Sequence, residues 1–126
     1  MTTFLIDTHA LLWWLAADRT LPRVVRDQIA DPEHRVLVSA VSAWEVSIKV
    51  ALGKLRAPDD LLDVVERSGL EWITIEPREA YVAGSLPLHY RDPFDRLLVA
   101  QAQERAACLI SHDDTFDAYG VQRTWT

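Results

Sequence analysis

The sequence predicts an α/β fold, a single domain whose mainly parallel sheet carries helices on both faces. Three observations predict it. Short apolar runs recur along the chain, among them Phe4-Leu5-Ile6, Val36-Leu37-Val38 and Cys108-Leu109-Ile110. Helix-like segments alternate with these runs, giving the order β-α-α-β-α-α-β-α-α-β-β. The 126 residues, 49% of them apolar, suffice for one compact core and are too few for two ordinary domains, so residues 1–126 read as one unit.

Taken in order, residues 3–7 form an apolar strand ending in Asp7-Thr8, and His9 to Asp18, rich in Leu, Ala and Trp, has helical character. Pro22 suits the first turn of a second helix running to Ala30, and Asp31-Pro32-Glu33-His34 is turn-like. Val36 to Ala40 gives the second strand. From Ser42, apolar Trp44, Ile48, Ala51 and Leu55 recur at helical spacing while Glu45 and Lys49 fall on a neighbouring face, with Gly53 as the stop. Pro58 to Ser68 predicts another helix closed by Gly69, followed by a β-prone run at Trp72-Ile73-Thr74-Ile75. Pro77 to Ser85 is a short helix. Asp92-Pro93 starts a strongly apolar helix to about Ala106, then come a strand at Cys108 to Ser111 and a last one near Val121 to Trp125.

Composition narrows the function classes. No segment approaches the roughly 20 apolar residues that span a bilayer, and Met1-Thr2-Thr3 lacks the basic start of a signal peptide, so a cytoplasmic protein without membrane contact is expected. The one cysteine, Cys108, lies in an apolar run and reads as a small buried hydrophobe. A net charge of −6 argues against nucleic acid unless bound cations offset part of it. Arg19, Arg23, Arg26, Lys49, Lys54, Arg56, Arg91 and Arg96 then remain as possible phosphate contacts, or as solvated helix faces.

The acids Asp7, Glu45, Asp95 and Asp113 carry the functional signal. Each stands beside the end of an apolar run, where a parallel sheet binds its ligands beyond the carboxyl ends of the strands. Gathered there, they repel one another unless a divalent cation neutralises them, which points to Mg²⁺ or Mn²⁺. Four acids around one or two such ions suit phosphodiester hydrolysis; in the two-metal arrangement the ions lie roughly 3.5–4 Å apart. Structural readings compete. Asp92-Pro93-Phe94-Asp95 fits a helix N-cap, Ser42-Ala43-Trp44-Glu45 has the form of a capping box, Asp7 or Thr8 can cap the first helix, and Asp113-Asp114 can be a solvated turn. Independent caps, however, have no reason to converge.

His9, His34, His89 and His112 show no metal-binding spacing and read as structural or surface residues. The absence of GxxxxGK[ST] and GxGxxG excludes the usual nucleotide-binding loops. A phospho-aspartate at Asp7 fits poorly, because His9 stands where aspartate-nucleophile phosphatases carry a second Asp. Of the adjacent Trp13 and Trp14, at most one can point squarely into the core.

The segments Leu5-Ile6-Asp7-Thr8-His9-Ala10-Leu11-Leu12-Trp13, Ser39 to Glu45 with Lys49 and Gly53-Lys54-Leu55, Asp92-Pro93-Phe94-Asp95 to Ala102, and Ile110-Ser111-His112-Asp113 resemble the PIN domain. More narrowly they resemble the VapC-type toxins of bacterial toxin–antitoxin pairs, over essentially the whole chain. That resemblance implies a compact three-layer α/β/α nuclease cutting RNA with Mg²⁺ or Mn²⁺, a homodimer held silent by a small cognate antitoxin protein. Carried over by position, the metal-site and catalytic acids are Asp7, Glu45, Asp95 and Asp113, with Thr8 and Ser111 supporting ligands or phosphate. Arg96 is placed to contact substrate or pair with Asp92. Asp114 and Asp92 are reserve acids. The alternatives are an RNA- or protein-binding module of the same fold, or a DNA-directed nuclease, for whose clamp the chain leaves little room.

Overall fold

A computed structural model describes residues 2–89 and 92–126. Arg91, one of the possible phosphate contacts, lies outside them. The chain runs β1 (Thr3–Ile6), α1 (Thr8–Leu15), α2 (Arg23–Ala30), β2 (Arg35–Ser39), α3 (Ala40–Ala51), α4 (Leu61–Arg67), β3 (Glu71–Ile73), α5 (Pro77–Ser85), α6 (Pro93–Glu104), β4 (Cys108–Ile110), a 3₁₀ helix (Asp114–Tyr119) and β5 (Arg123–Thr124). This is the expected order with the 3₁₀ helix inserted. Among the described residues no helix is long and apolar enough to cross a membrane.

The five strands lie in the order β3-β2-β1-β4-β5, and every neighbouring pair is parallel. Strand alternation divides the core into two layers. Phe4, Ile6, Val36, Val38 and Ile110 face the side packed by Leu11 of α1, Val25 and Ile29 of α2 and Val65 of α4. Leu5, Leu37 and Leu109 face the opposite side, against Val41 of α3, Leu98 and Val99 of α6 and Phe116. Each face of an all-parallel sheet must be covered, and here helices cover both.

Several boundaries move for identifiable reasons. β2 stops at Ser39 because that side chain accepts a hydrogen bond from the Val41 amide and caps α3. The strand expected at 72–75 is 71–73, since its pairing with β2 ends where β2 turns into α3, at Ser39 opposite Ile73. α4 begins at Leu61 and not at Pro58, with Asp60 at its N-cap. α6 closes at Glu104, after which Ala106 takes the left-handed conformation (φ 51°) and the Ala107 amide returns to the Ala102 carbonyl at 2.9 Å. Gly53 does the same job after α3 at φ 72°, without a side chain to strain.

Candidate active site

In this strand order β1 has β2 on one side and β4 on the other, so the connections reverse direction between β1 and β4. A crevice beyond the strand ends at such a reversal is where open α/β sheets bind ligands. A cleft of about 110 Å³ opens in this region, lined by Asp7, Thr8, His9, Glu45, Lys49, Asp92, Asp95, Asp113 and Phe116. Asp7 comes from the end of β1, Glu45 from the second turn of α3, Asp95 from the first turn of α6, and Asp113 from the segment after β4. All four acids singled out from sequence therefore meet.

Their partners differ. Asp7 caps α1 by accepting from the Ala10 amide at 2.9 Å. Burial above all lifts its carboxyl above the usual range, while the Ser111 hydroxyl, the Ala10 amide and His9 pull it back. The Glu45 carboxylate is buried and divided between two donors, Thr8 Oγ1 on Oε1 at 2.6 Å and Lys49 Nζ on Oε2 at 2.6 Å. Thr8 Oγ1 also shares a 3.1 Å hydrogen bond with Ser42 Oγ. Asp113 accepts from the Thr115 amide at 3.0 Å, and its own amide donates to Ser111 Oγ at 3.0 Å. Ser111 thus links Asp7 to Asp113.

Asp95 is pushed up to about 7, first by burial and then by the negative charges of Asp92, Glu45, Asp7 and Asp113. Lys49 is held above its ordinary value chiefly by its bond to Glu45, with Asp92 and Asp95 adding to the pull. Among the described residues, one lysine against five lining carboxylates leaves the cleft strongly anionic.

Some expectations need correction. Glu45 is not the far end of a capping box, because Ser39 takes the N-cap of α3 and Glu45 turns to Thr8 and Lys49. Asp92 does cap α6, through the Phe94 amide at 2.8 Å, and also lines the cleft. Asp114 is exposed and is not among the lining residues, whereas Asp113 is. Arg96 is buried, and its guanidinium donates to the carbonyls of Ala83 (3.0 Å), Gly84 (3.3 Å), Leu86 (2.8 Å) and Pro87 (3.1 Å). It ties down the end of α5 and does not line the cleft. His9 is exposed, in keeping with a surface residue, and also stands at the cleft wall, two residues after Asp7.

The family pattern described as PIN domain matches residues 4–122. This chain belongs to the PIN-domain family. It is 31% identical over 121 residues to Ribonuclease VapC22 of Mycobacterium tuberculosis (strain ATCC 25618 / H37Rv), covering 90% of this chain and 88% of that one. Two solved structures share the PIN fold at lower identity. VapBC2 from Rickettsia felis, bound to a DNA fragment from its promoter, superposes with a TM-score of 0.73 at 12% identity, covering 99% of this chain and 100% of that one. DNA-bound VapBC from Salmonella typhimurium gives 0.68 at 20% identity, covering 98% of each chain.

Whether this PIN domain suits a divalent metal is answered by its donors. They are carboxylate and hydroxyl oxygens, the hard donors that Mg²⁺ and Mn²⁺ prefer, and Asp95, raised by burial, stands among four other carboxylates that raise it further. As the side chains stand, no three His, Cys, Asp or Glu groups among the described residues are gathered closely enough to hold one ion. In this arrangement Glu45 is engaged by Lys49 and Asp113 by Thr115. The donor set fits a hard divalent cation in type and charge.

A second, larger hollow of about 870 Å³ lies between α3 and α4, with Trp44, Val46, Val50, Leu61 and Leu62 in its wall and Asp59, Asp60 and Asp63 beside them. It is mainly apolar and holds none of the cleft's acids. Trp44 is 57% exposed there, whereas Trp13 and Trp14 are both half-buried against the core.

Proposed function

We propose that this PIN domain is an endoribonuclease, the toxic member of a toxin–antitoxin pair, which hydrolyses RNA phosphodiester bonds in the cleft around Asp95 with Mg²⁺ or Mn²⁺. The observation that carries the reading is the convergence of acids from four distant segments on a cleft whose charge they cannot neutralise among themselves. Kinship with a protein named as a ribonuclease supports the class of reaction.

Asp7 and Asp95 would hold the principal cation, with Glu45 and Asp113 completing its surroundings directly or through water. The cation, when bound, supplies Lewis-acid activation and offsets charge on the phosphate. The residues of the chain do the positioning. Thr8 orients Glu45, and Ser111 fixes Asp7 relative to Asp113. Lys49 neutralises Glu45 in the metal-free cleft and, once Glu45 turns away, offers its ammonium to a substrate phosphate.

The antitoxin reading draws on the apolar hollow between α3 and α4. A segment presenting apolar side chains to Trp44 and Leu62 and basic ones to Asp59, Asp60 and Asp63 would match it. Trp44→Ala should weaken antitoxin binding at least tenfold without changing RNA cutting. The expected homodimer is checked by mass measurement in solution.

The reading is tested by incubating purified protein with a pool of tRNA, ribosomal RNA and mRNA in Mg²⁺, Mn²⁺ or EDTA, beside Asp7→Asn. Metal-dependent cuts lost in the variant are the expected result. Equal cutting by folded Asp7→Asn would overturn the assignment.

A further inference from the structure

The cleft has an aromatic lip. His9 and Trp13 stand one turn apart on α1 with ring centroids 6.0 Å apart, and Trp13 contacts Trp125, beyond β5, at 5.6 Å. His112, between Ser111 and Asp113, meets Trp13 at 6.4 Å and Trp125 at 5.4 Å, edge-on to both. Trp13 and Trp125 are half-buried and packed against the core layer below, while the two imidazoles are exposed. The two tryptophans are thus held from beneath, and the two imidazoles stand at the solvent side of the lip. The lip is continuous with the cleft, since His9 lines it and His112 immediately precedes Asp113.

Among the described residues the cleft wall holds five carboxylates and one lysine, and such an anionic wall is a poor holder of a polyanion by charge alone. Stacking escapes that difficulty, because every nucleobase has an uncharged π-face and aromatic side chains grip single strands without needing a basic surface. A helix-paired base has no free face to offer.

We propose that His9, Trp13, His112 and Trp125 form a stacking platform for an unpaired nucleobase of single-stranded RNA beside the phosphodiester in the acidic cleft. This rests on the reading of that cleft as an RNA-cutting site. The platform sets affinity and a preference for unpaired over duplex substrate; the acids set the chemistry.

The test uses the full chain carrying Trp125→Leu, Trp125→Phe or His112→Ala, each checked for wild-type thermal unfolding. Trp125→Leu keeps an apolar group against the core, and His112 is exposed, so either variant can report if the other misfolds. Two readouts are taken. One is steady-state cleavage of a short fluorogenic single-stranded oligoribonucleotide; the other is binding of a labelled oligoribonucleotide in EDTA, compared with an abasic strand of equal length. Trp125→Leu and His112→Ala should raise KM and the strand's Kd on the order of tenfold with little change in kcat, Trp125→Phe should restore both, and abasic binding should not change. Unchanged KM and Kd in both variants, or an equal loss on the abasic strand, would refute the platform while leaving the nuclease reading intact. Wild-type protein that cuts no RNA, yet whose binding of the single strand falls in Trp125→Leu, would refute the nuclease reading and keep the platform. Absence of both cutting and binding would remove both.

Discussion

Replacing Asp95 by Asn should make the metal-free protein more stable while abolishing RNA cleavage. Asp95 is pushed from an ordinary value of 3.8 to about 7 by burial and by Asp92, Glu45, Asp7 and Asp113, with Lys49 as the nearby cation. Between those two values the folded chain binds the proton that the unfolded chain has released, so stability falls as pH rises from 3.8 toward 7 and then levels off. At 1.36 kcal/mol per pH unit the full difference is about 4 kcal/mol. Asp95 is partly open to solvent, which screens the repulsion and leaves roughly 1–2 kcal/mol for the charge above pH 7.5. For a chain of this size that is roughly 3–8 °C in Tm. Thermal unfolding in EDTA should therefore show Asp95→Asn above wild type at pH 8, with the gap narrowing markedly at pH 5. Mg²⁺ should raise the wild-type Tm and leave the variant nearly unmoved. A variant less stable than wild type at pH 8, or a gain of equal size at both pH values, would refute the account of the cleft as a concentration of unneutralised charge.

Three further outcomes are expected. Ala106→Gly relieves the left-handed backbone at φ 51° after α6 and should stabilise the fold by about 0.5–1 kcal/mol in denaturant titrations. Arg96→Met strips four carbonyls at the end of α5 of their donor; unfolding should come about 2–4 kcal/mol sooner, while KM for RNA stays unchanged in the folded fraction. Burial opposes the charged form of Glu79, but its bonds from Arg105, the Glu76 amide and Gln101 outweigh that and hold it below its ordinary 4.5. Its stabilising effect is therefore present above 4.5 and lost as pH falls through the lower folded value. The stability gap between wild type and Glu79→Gln, measured by urea titration, should be wide at neutral pH and shrink on acidification to about pH 3.

Much of this was legible in the chain. Apolar runs of strand length separated by helical periodicity carry the element order, and the acids after β1 and β4 and in the early turns of α3 and α6 mark the rim of the sheet. What escaped depended on contacts between distant residues. Nothing near Ser42 reveals that Glu45 turns toward Thr8, because a capping box and a carboxylate buried against a distant donor share one local pattern. Arg96 follows Asp95 in sequence, yet the helix sends its side chain about 100° away, to the end of α5. The 3₁₀ helix at Asp114–Tyr119 is too short for a periodic signal, since its one apolar face is the single pair Phe116 and Tyr119, three residues apart. The aromatic lip joins residues 9 and 13 to 112 and 125, and no window of sequence spans that distance.

That the acids arrive at positions 7, 45, 95 and 113 also sets a schedule. β1 is the middle of the sheet, and its neighbour β4 is made only after α1 to α6, β2 and β3. Asp7 therefore waits for the intervening segments to be made before it can meet Asp113. For a chain that cuts RNA, this delay protects the message being read, since no shorter nascent piece carries a complete site. If the proposed pairing with an antitoxin holds, the same interval lets the inhibitor meet the chain before its site closes.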